Sequence, residues 1–255
     1  MNDALAAAGY ALYAVSYDDA AVLSAFAAKH GVTYPLLSDA GSLFIRKLGI
    51  LNDEAPAPVA GIPHPGTFVL NADGTVRSKH FYPGYRERDT GAGVLGHLLG
   101  LDRGARGQVH ESADEGVAIR ASLDSDSYAW GQRIWLTVEL DIAPGLHVYG
   151  KPTPDGYYPL DISVAPVERV TVGDTVYPHA LPFRVQGLDD EFFVHEGQLK
   201  VSLPLTFMVV DAGALQIRVT VSYQACSGTD CLAPASAEFT LHIAETSLID
   251  RVRPA

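Results

Sequence analysis

Cysteine is nearly absent. The 255 residues hold two, Cys226 and Cys231, and residues 1–225 hold none. Most of the chain must therefore be held by its own core, with no disulfide framework. Basic residues are also few: 18 Lys and Arg stand against 30 Asp and Glu, a formal net charge of −12. With no basic stripe, nucleic acid and anionic lipid are poor partners. No uninterrupted apolar run approaches the roughly 18–20 residues needed to cross a bilayer, so direct membrane insertion is not expected. The opening Met1-Asn2-Asp3 lacks the basic stretch and cleavage site of a signal peptide. Apolar material is plentiful. Hydrophobic residues make up 47% of the chain and charged ones 19%, which suits a sizeable core and argues against disorder. The length suits one large domain or two ordinary ones.

Two regions read with different periods. Over residues 1–101 helix and strand signals alternate. Asn2 or Asp3 can cap a short helix through Ala8, stopped by Gly9. Ala11–Ser16 is a nearly continuous apolar run, the pattern of a strand covered on both faces. Asp18 is the expected N-cap of a helix carrying Val22, Leu23, Phe26, Ala27 and His30, with Gly31 as its stop. Ser42–Leu48 reads as another helix closed by Gly49. Thr67–Leu70 and Thr75–Phe81 flank a hairpin turn at Asn71-Ala72-Asp73-Gly74. Val94, Leu95, Leu98 and Leu99 form the apolar face of a last helix before Gly100. The expectation is a small α/β sandwich.

Residues 102–116 are polar and without periodicity, and are expected to be a linker. From 117 to 248 strict alternation takes over: Val117 to Leu123, Ile134 to Leu140, Leu199 to Leu205, Ile217 to Tyr223, and Ala237 to Ile243. Pro and Gly clusters separate these runs. One buried face repeated this often means an antiparallel β-sandwich, immunoglobulin-like in architecture.

The chemistry points to the two cysteines, in Tyr223-Gln224-Ala225-Cys226-Ser227-Gly228-Thr229-Asp230-Cys231-Leu232-Ala233-Pro234. Four intervening residues with Gly among them let the chain fold back so that the sulfurs meet, with Cα atoms about 4.4–6.8 Å apart. A disulfide over so short a loop is a weak entropic staple, which favours an exchangeable redox couple. Three blander readings stay open: a local structural disulfide, two free buried thiols, and a zinc site. The last is weakened because no second Cys or His pair with ligand spacing lies nearby. No metal and no cofactor is expected. Alternation along Val219, Val221, Tyr223 and Ala225 turns Cys226 to the opposite face, where a partner is expected to reach it.

Residues 115–245 resemble the N-terminal, periplasmic domain of the thiol:disulfide interchange protein DsbD family. The resemblance rests on Gly145-Leu146-His147-Val148-Tyr149, Pro152 through Pro159, Asp189-Asp190-Glu191-Phe192, Val194-His195-Glu196-Gly197, and above all Tyr223-Gln224-Ala225-Cys226 with Cys231 and Pro234. It implies a Cys226–Cys231 pair that shuttles between dithiol and disulfide. Its partners would be thioredoxin-like redox proteins and a membrane electron donor. The same resemblance makes Asp190, Glu191, Phe192 and Phe193 an aromatic cap, places His147 and Tyr149 beside the pair, and favours Cys231 as the cysteine joined to partners. It also implies an extracytoplasmic, periplasmic setting, where disulfides persist, with the leader expected upstream. The segment after Asp190-Glu191-Phe192 is shorter than in well-known members, and no membrane domain is visible.

Residues 1–101 resemble the redoxin (AhpC/TSA, peroxiredoxin-like) branch of the thioredoxin fold, through Ala14–Asp18, Phe26–Gly31, Tyr34-Pro35-Leu36-Leu37-Ser38-Asp39 and Pro65–Leu70. This implies a cis-proline at Pro65, with Pro63 as competitor. It also implies a reactive cysteine on a first strand–helix unit, which would have to precede Met1; the chain is expected to start within the first helix, or else the module is a degenerate one kept for docking. A peroxidase's arginine near Thr67 is missing as well. The fold class expected is α/β plus all-β: an incomplete thioredoxin-like domain, then an immunoglobulin-like sandwich. The expected activity is protein thiol–disulfide exchange. Its rivals are a non-catalytic interaction module with a structural disulfide, and a peroxiredoxin-like antioxidant enzyme whose cysteine lies upstream.

Overall fold

The computed structural model describes residues 2–82, 87–101, 109–114, 116–184 and 191–246. Asp190 of the expected cap, and residues 102–108 and 115 of the expected linker, lie outside the described residues. The molecule is mostly β, with few helices, and divides into two compact units, Met1–Asp102 and Arg103–Ala255.

The first unit opens with α1 (Asn2–Ala7), β1 (Ala14–Ser16), α2 (Ala20–His30), β2 (Leu36–Ser38) and α3 (Leu43–Lys47). β3 (Gly66–Leu70), β4 (Val76–Phe81), the two-residue β5 (Arg88–Asp89) and a π-helical turn at Val94–Leu98 follow. Helix α2 is capped one residue later than expected. Asp19 accepts the Val22 N–H at 3.1 Å, whereas Asp18 is engaged by the Ser16 hydroxyl at 2.6 Å. Gly31 closes the helix with a left-handed φ of 62°, as its sequence position implies. Asp39 rather than Ser42 caps α3, accepting the N–H groups of Leu43, Phe44 and Ile45 at 3.0, 3.2 and 2.8 Å.

The expected small α/β sandwich is corrected in two respects. Among the described residues β1 pairs only with β2, in parallel, and the hairpin β3–β4 forms a separate two-stranded sheet. β1 is also not covered on both faces, for Val15 is exposed, as are Tyr13, Phe26 and Leu37. The core of this unit is correspondingly thin, with Ala4, Leu5 and Leu95 as its buried cluster. Pro65 is corrected too. The cis bonds among the described residues are Ala57–Pro58 and Lys151–Pro152, so Pro65 follows a trans bond. The chain is already extended there: Leu51 bridges Pro63, and the His64 N–H donates to the Ile50 carbonyl at 2.6 Å. An extended residue before proline needs no cis bond to enter a strand.

In the second unit one sheet runs in the order β12 (Val170–Val172), β15 (Gln198–Phe207), β9 (Gln132–Ile142), β7 (Val117–Leu123) and β6 (Val109–Asp114). β6 replaces part of the expected linker. It carries no apolar alternation and is almost wholly exposed, so only its backbone ladder to β7 makes it a strand. A second sheet orders β11 (Asp161–Val164), β16 (Leu215–Tyr223), β18 (Ala235–Glu245) and β8 (Ser127–Tyr128). The alternating apolar residues of both sheets merge in one buried cluster, including Leu136, Val138, Leu203 and Phe207 from the first and Val219, Val221, Phe239 and Leu241 from the second. Each such side chain, fully buried, contributes about 1.5–3 kcal/mol. A third, short sheet runs β13 (Leu181–Phe183), β14 (Phe192–His195), β10 (His147–Tyr149) and β17 (Ala225–Cys226). It carries the cysteines.

Candidate functional site

Strand β16 brings the chain to the site with its alternation intact. Val219, Val221, Tyr223 and Ala225 all enter the main core, and Cys226 turns to the other face of the short sheet. Behind it the chain reverses over Ser227–Asp230. The Ser227 N–H donates to the Asp230 carbonyl at 2.7 Å, the Ser227 hydroxyl accepts the Asp230 N–H at 3.0 Å, and the Leu232 N–H donates to the Ala225 carbonyl at 2.9 Å. That turn faces Cys231 onto Cys226 as an isolated antiparallel bridge, and their sulfurs are bonded at 2.09 Å. Their Cα atoms are 4.0 Å apart, closer than the expected range. A directly opposed antiparallel pair without hydrogen bonds of its own already sits near about 4.5 Å, so the bridge accounts for most of the close approach.

The two sulfurs are not equivalent. Cys226 has 0% of its surface exposed, whereas Cys231 is exposed. The expectation that Cys226 is the reachable sulfur is corrected. It does face away from the main core, but the face it turns to is roofed by aromatic rings. Tyr149 and Phe192 lie in the same buried cluster as Cys226, with Val194, Tyr157 and Phe183 packed around them. Ring centroids are 5.5 Å apart for Tyr149–Phe192, 5.0 Å for Tyr157–Phe192 and 5.2 Å for Tyr149–Tyr157. Such tilted and edge-on pairs add about 0.5–1.5 kcal/mol each beyond their burial.

Tyr149 reaches the exposed sulfur as well. Its hydroxyl lies 3.4 Å from Cys231 Sγ, and since a disulfide sulfur carries no hydrogen, the phenol donates. Burial, reinforced by the nearby Tyr157, pushes the Tyr149 phenol above its ordinary range, so it keeps that proton at neutral pH. His147 sits directly opposite Cys226 in the β10–β17 ladder. It is 3% exposed, and its Nε2 has no hydrogen-bond partner among the described residues. Burial holds its pKa below the ordinary histidine value, against the pull of the Glu196 charge.

The remaining expected site residues are less intimate. Phe193 is half-buried and pairs with Pro182, its carbonyl accepting the Gly150 N–H at 2.7 Å. Glu191 is exposed, 3.9 Å from Arg184. Pro65 belongs to the first unit. Three residues of the site were not singled out from sequence. Tyr157 and Phe183 complete the aromatic roof, and Gln224 ties the loop down. Its side-chain N–H donates to the Leu232 carbonyl at 3.0 Å while its oxygen accepts the Tyr158 N–H at 3.4 Å. Tyr157 and Gln224 stand inside quoted motifs, but Phe183 lies on a three-residue strand too short to show a period.

Comparison with known families agrees with both resemblances. Residues 121–243 match the family model "Thiol:disulfide interchange protein DsbD, N-terminal", and residues 1–79 match that of the AhpC/TSA family. No curated protein matches the chain. Among solved structures, the N-terminal periplasmic domain of ScsB from Proteus mirabilis is 17% identical with a TM-score of 0.38, over 52% of this chain and 49% of that one. This chain thus spans about half the length of that relative. The reduced DsbD N-terminal domain of Neisseria meningitidis is 17% identical with a TM-score of 0.31, over 41% of this chain and 74% of that one. The DsbD N-terminal domain of the same organism, in complex with the PilB N-terminal domain, is 16% identical with a TM-score of 0.32, over 42% of this chain and 73% of that one.

Proposed function

We propose that this chain is a protein thiol–disulfide oxidoreductase in which Cys231 meets the partner and Cys226 resolves. The carrying observation is the asymmetry of one disulfide: one sulfur is exposed and the other is sealed under aromatic rings. A partner thiolate attacks Cys231 Sγ. A partner–Cys231 disulfide forms, the Cys226–Cys231 bond breaks, and the electron pair leaves on Cys226 Sγ. The partner's second thiolate then attacks its own bridging sulfur and releases Cys231 as a thiolate. Two electrons have passed to the pair, and the partner is left as a disulfide. The reverse sequence oxidises the pair. The Tyr149 phenol supports Cys231 as charge gathers on its sulfur, and Phe192 with Tyr157 keeps small oxidants from Cys226.

Supporting a redox rather than a structural role, closing a loop this short stabilises by only about 2 kcal/mol on chain entropy, little beside the large core already present. The partners are thioredoxin-like proteins, with a membrane electron donor as the source, and the setting is extracytoplasmic. The sandwich reads as immunoglobulin-like. Residues 1–101, a redoxin-like module, hold no cysteine and so carry no thiol chemistry of their own.

Serine variants mixed with an oxidised thioredoxin carrying one active-site cysteine as an activated disulfide test this. Cys226→Ser is expected to accumulate a mixed disulfide through Cys231, and Cys231→Ser to give almost none. The wild-type pair is expected to equilibrate with glutathione buffers. A potential below about −300 mV, with no mixed disulfide in either variant, would return the pair to a structural staple.

A further inference from the structure

We propose that His147 is the buried proton acceptor and donor of Cys226, taking the thiol proton when Cys226 resolves a mixed disulfide and returning it when the pair is reduced. The inference rests on the exchange reading above and names the group that lets the sealed cysteine take part.

The need follows from burial. Cys231 is exposed, so water can take or supply its proton. Cys226 is 0% exposed, in a pocket walled by Tyr149, Phe192 and Val194. An apolar pocket favours the thiol over the thiolate, yet only the thiolate attacks a disulfide. Cys226 therefore needs a base that shares its burial. The β10–β17 register sets His147 across from it, on the same face, where directly opposed Cβ atoms stand about 4.5–5.5 Å apart. The imidazole Nε2 is buried and without a hydrogen-bond partner among the described residues. Leaving such a group unsatisfied costs about 1–3 kcal/mol, and a purely structural ring at this place, such as phenylalanine, would avoid that cost.

The surroundings suit a base. On its own strand His147 meets the Tyr149 ring at 5.7 Å, and on β13 the Phe183 ring at 4.5 Å. After β14, Glu196 is the carboxylate whose charge acts on it; the nearest charges flanking Phe183 and Phe192, Arg184 and Glu191, are exposed. His195 pairs with Val148 and so lies on the other face of the ladder. Burial keeps the imidazole neutral near pH 7, free to accept a proton. Tyr149 cannot serve in its place, because burial holds the proton on its phenol.

The step balances. With Cys231 joined to a partner sulfur, Nε2 takes the Cys226 thiol proton and Cys226 Sγ attacks Cys231 Sγ. The Cys226–Cys231 bond forms, the partner–Cys231 bond breaks, and the partner leaves as a thiolate with the electron pair. His147 then releases the proton to solvent. Reduction of the pair runs this in reverse.

Reduced full-length protein mixed with dithiobis(nitrobenzoic acid), an aromatic disulfide, separates the steps. Cys231 releases one coloured aryl thiolate, and resolution by Cys226 releases the second. In His147→Phe the first phase is expected to be unchanged and the second to slow about 100-fold at pH 7. The wild-type second phase is expected to be flat above the ordinary histidine range and to fall below it. The variant's should instead rise about tenfold per pH unit, because hydroxide must then act as the base. The intact first phase reports a folded site. If His147→Phe does not fold, His147→Gln gives the same reading. A second phase within twofold of wild type, with the wild-type pH profile, in whichever variant folds, overturns the proposal. A wild-type protein that releases no second aryl thiolate overturns the exchange reading itself.

Discussion

Removing the Phe192 ring is a direct probe of the aromatic roof. Phe192 is 0% exposed, so Phe192→Ala loses a transfer contribution of about 1.5–3 kcal/mol. It also loses two ring pairs, with Tyr149 and Tyr157, worth together about 1–3 kcal/mol. The total, about 2.5–6 kcal/mol, brackets the about 3–5 kcal/mol that truncating a core phenylalanine costs. A domain of ordinary stability, about 5–15 kcal/mol, survives this loss, and Phe192→Leu offers a milder step if it does not. For Cys226 to meet a reagent the roof must open, which breaks the two ring pairs. Their absence lowers the opening cost by the same about 1–3 kcal/mol, so alkylation should quicken about 5- to 150-fold. The assay is iodoacetamide labelling of the reduced protein, with each cysteine followed by peptide mass. Cys231, already exposed, is the internal control and should react at its wild-type rate. A ratio of Cys226 to Cys231 labelling that does not change would show that Phe192 is ordinary packing and that the roof lies elsewhere.

Full-length protein carrying both Cys226→Ser and Cys231→Ser should titrate no thiol and consume no peroxide beyond a heat-denatured control; turnover would locate chemistry in residues 1–101, where there is no cysteine. Asp39 gives a pH signature in the first unit. Its carboxyl is held below the usual range chiefly by the Ile45 N–H; desolvation opposes this next, and the N–H groups of Phe44 and Leu43 add smaller pulls downward. A depressed folded pKa stabilises above the unfolded carboxylate pKa of about 3.9, and that contribution fades as pH falls through the lower folded value. Asp39→Ala should therefore unfold more easily than wild type at pH 7 in a denaturant titration. The gap should close toward pH 2, and a pH-independent gap would contradict the assignment.

What the sequence made legible follows from strand length. Each alternating run of seven residues, from Val117–Leu123 to Ala237–Ile243, lies in a strand with its apolar face in the core, because a period of two repeated several times leaves one way to bury it. The same period turned Cys226 off the main core correctly. It could not say what awaited the sulfur there. The roof is assembled from β10, β13 and β14, of three, three and four residues, together with a loop tyrosine, and no segment that short carries a readable period. Hence the cysteine turned away from one core was sealed in another. The turn residues Ser227–Asp230, rather than any apolar pattern, decided that Cys231 is the exposed sulfur. In the first unit the apolar run of β1 argued for two covered faces, but burial needs covering partners, and Val15 has them on neither the β2 pairing nor the β3–β4 hairpin. A pattern states what a strand can bury; the neighbours it finds decide what is buried. At the cysteine pair those neighbours are the chemistry, for the rings that hide Cys226 are also what makes a buried base beside it necessary.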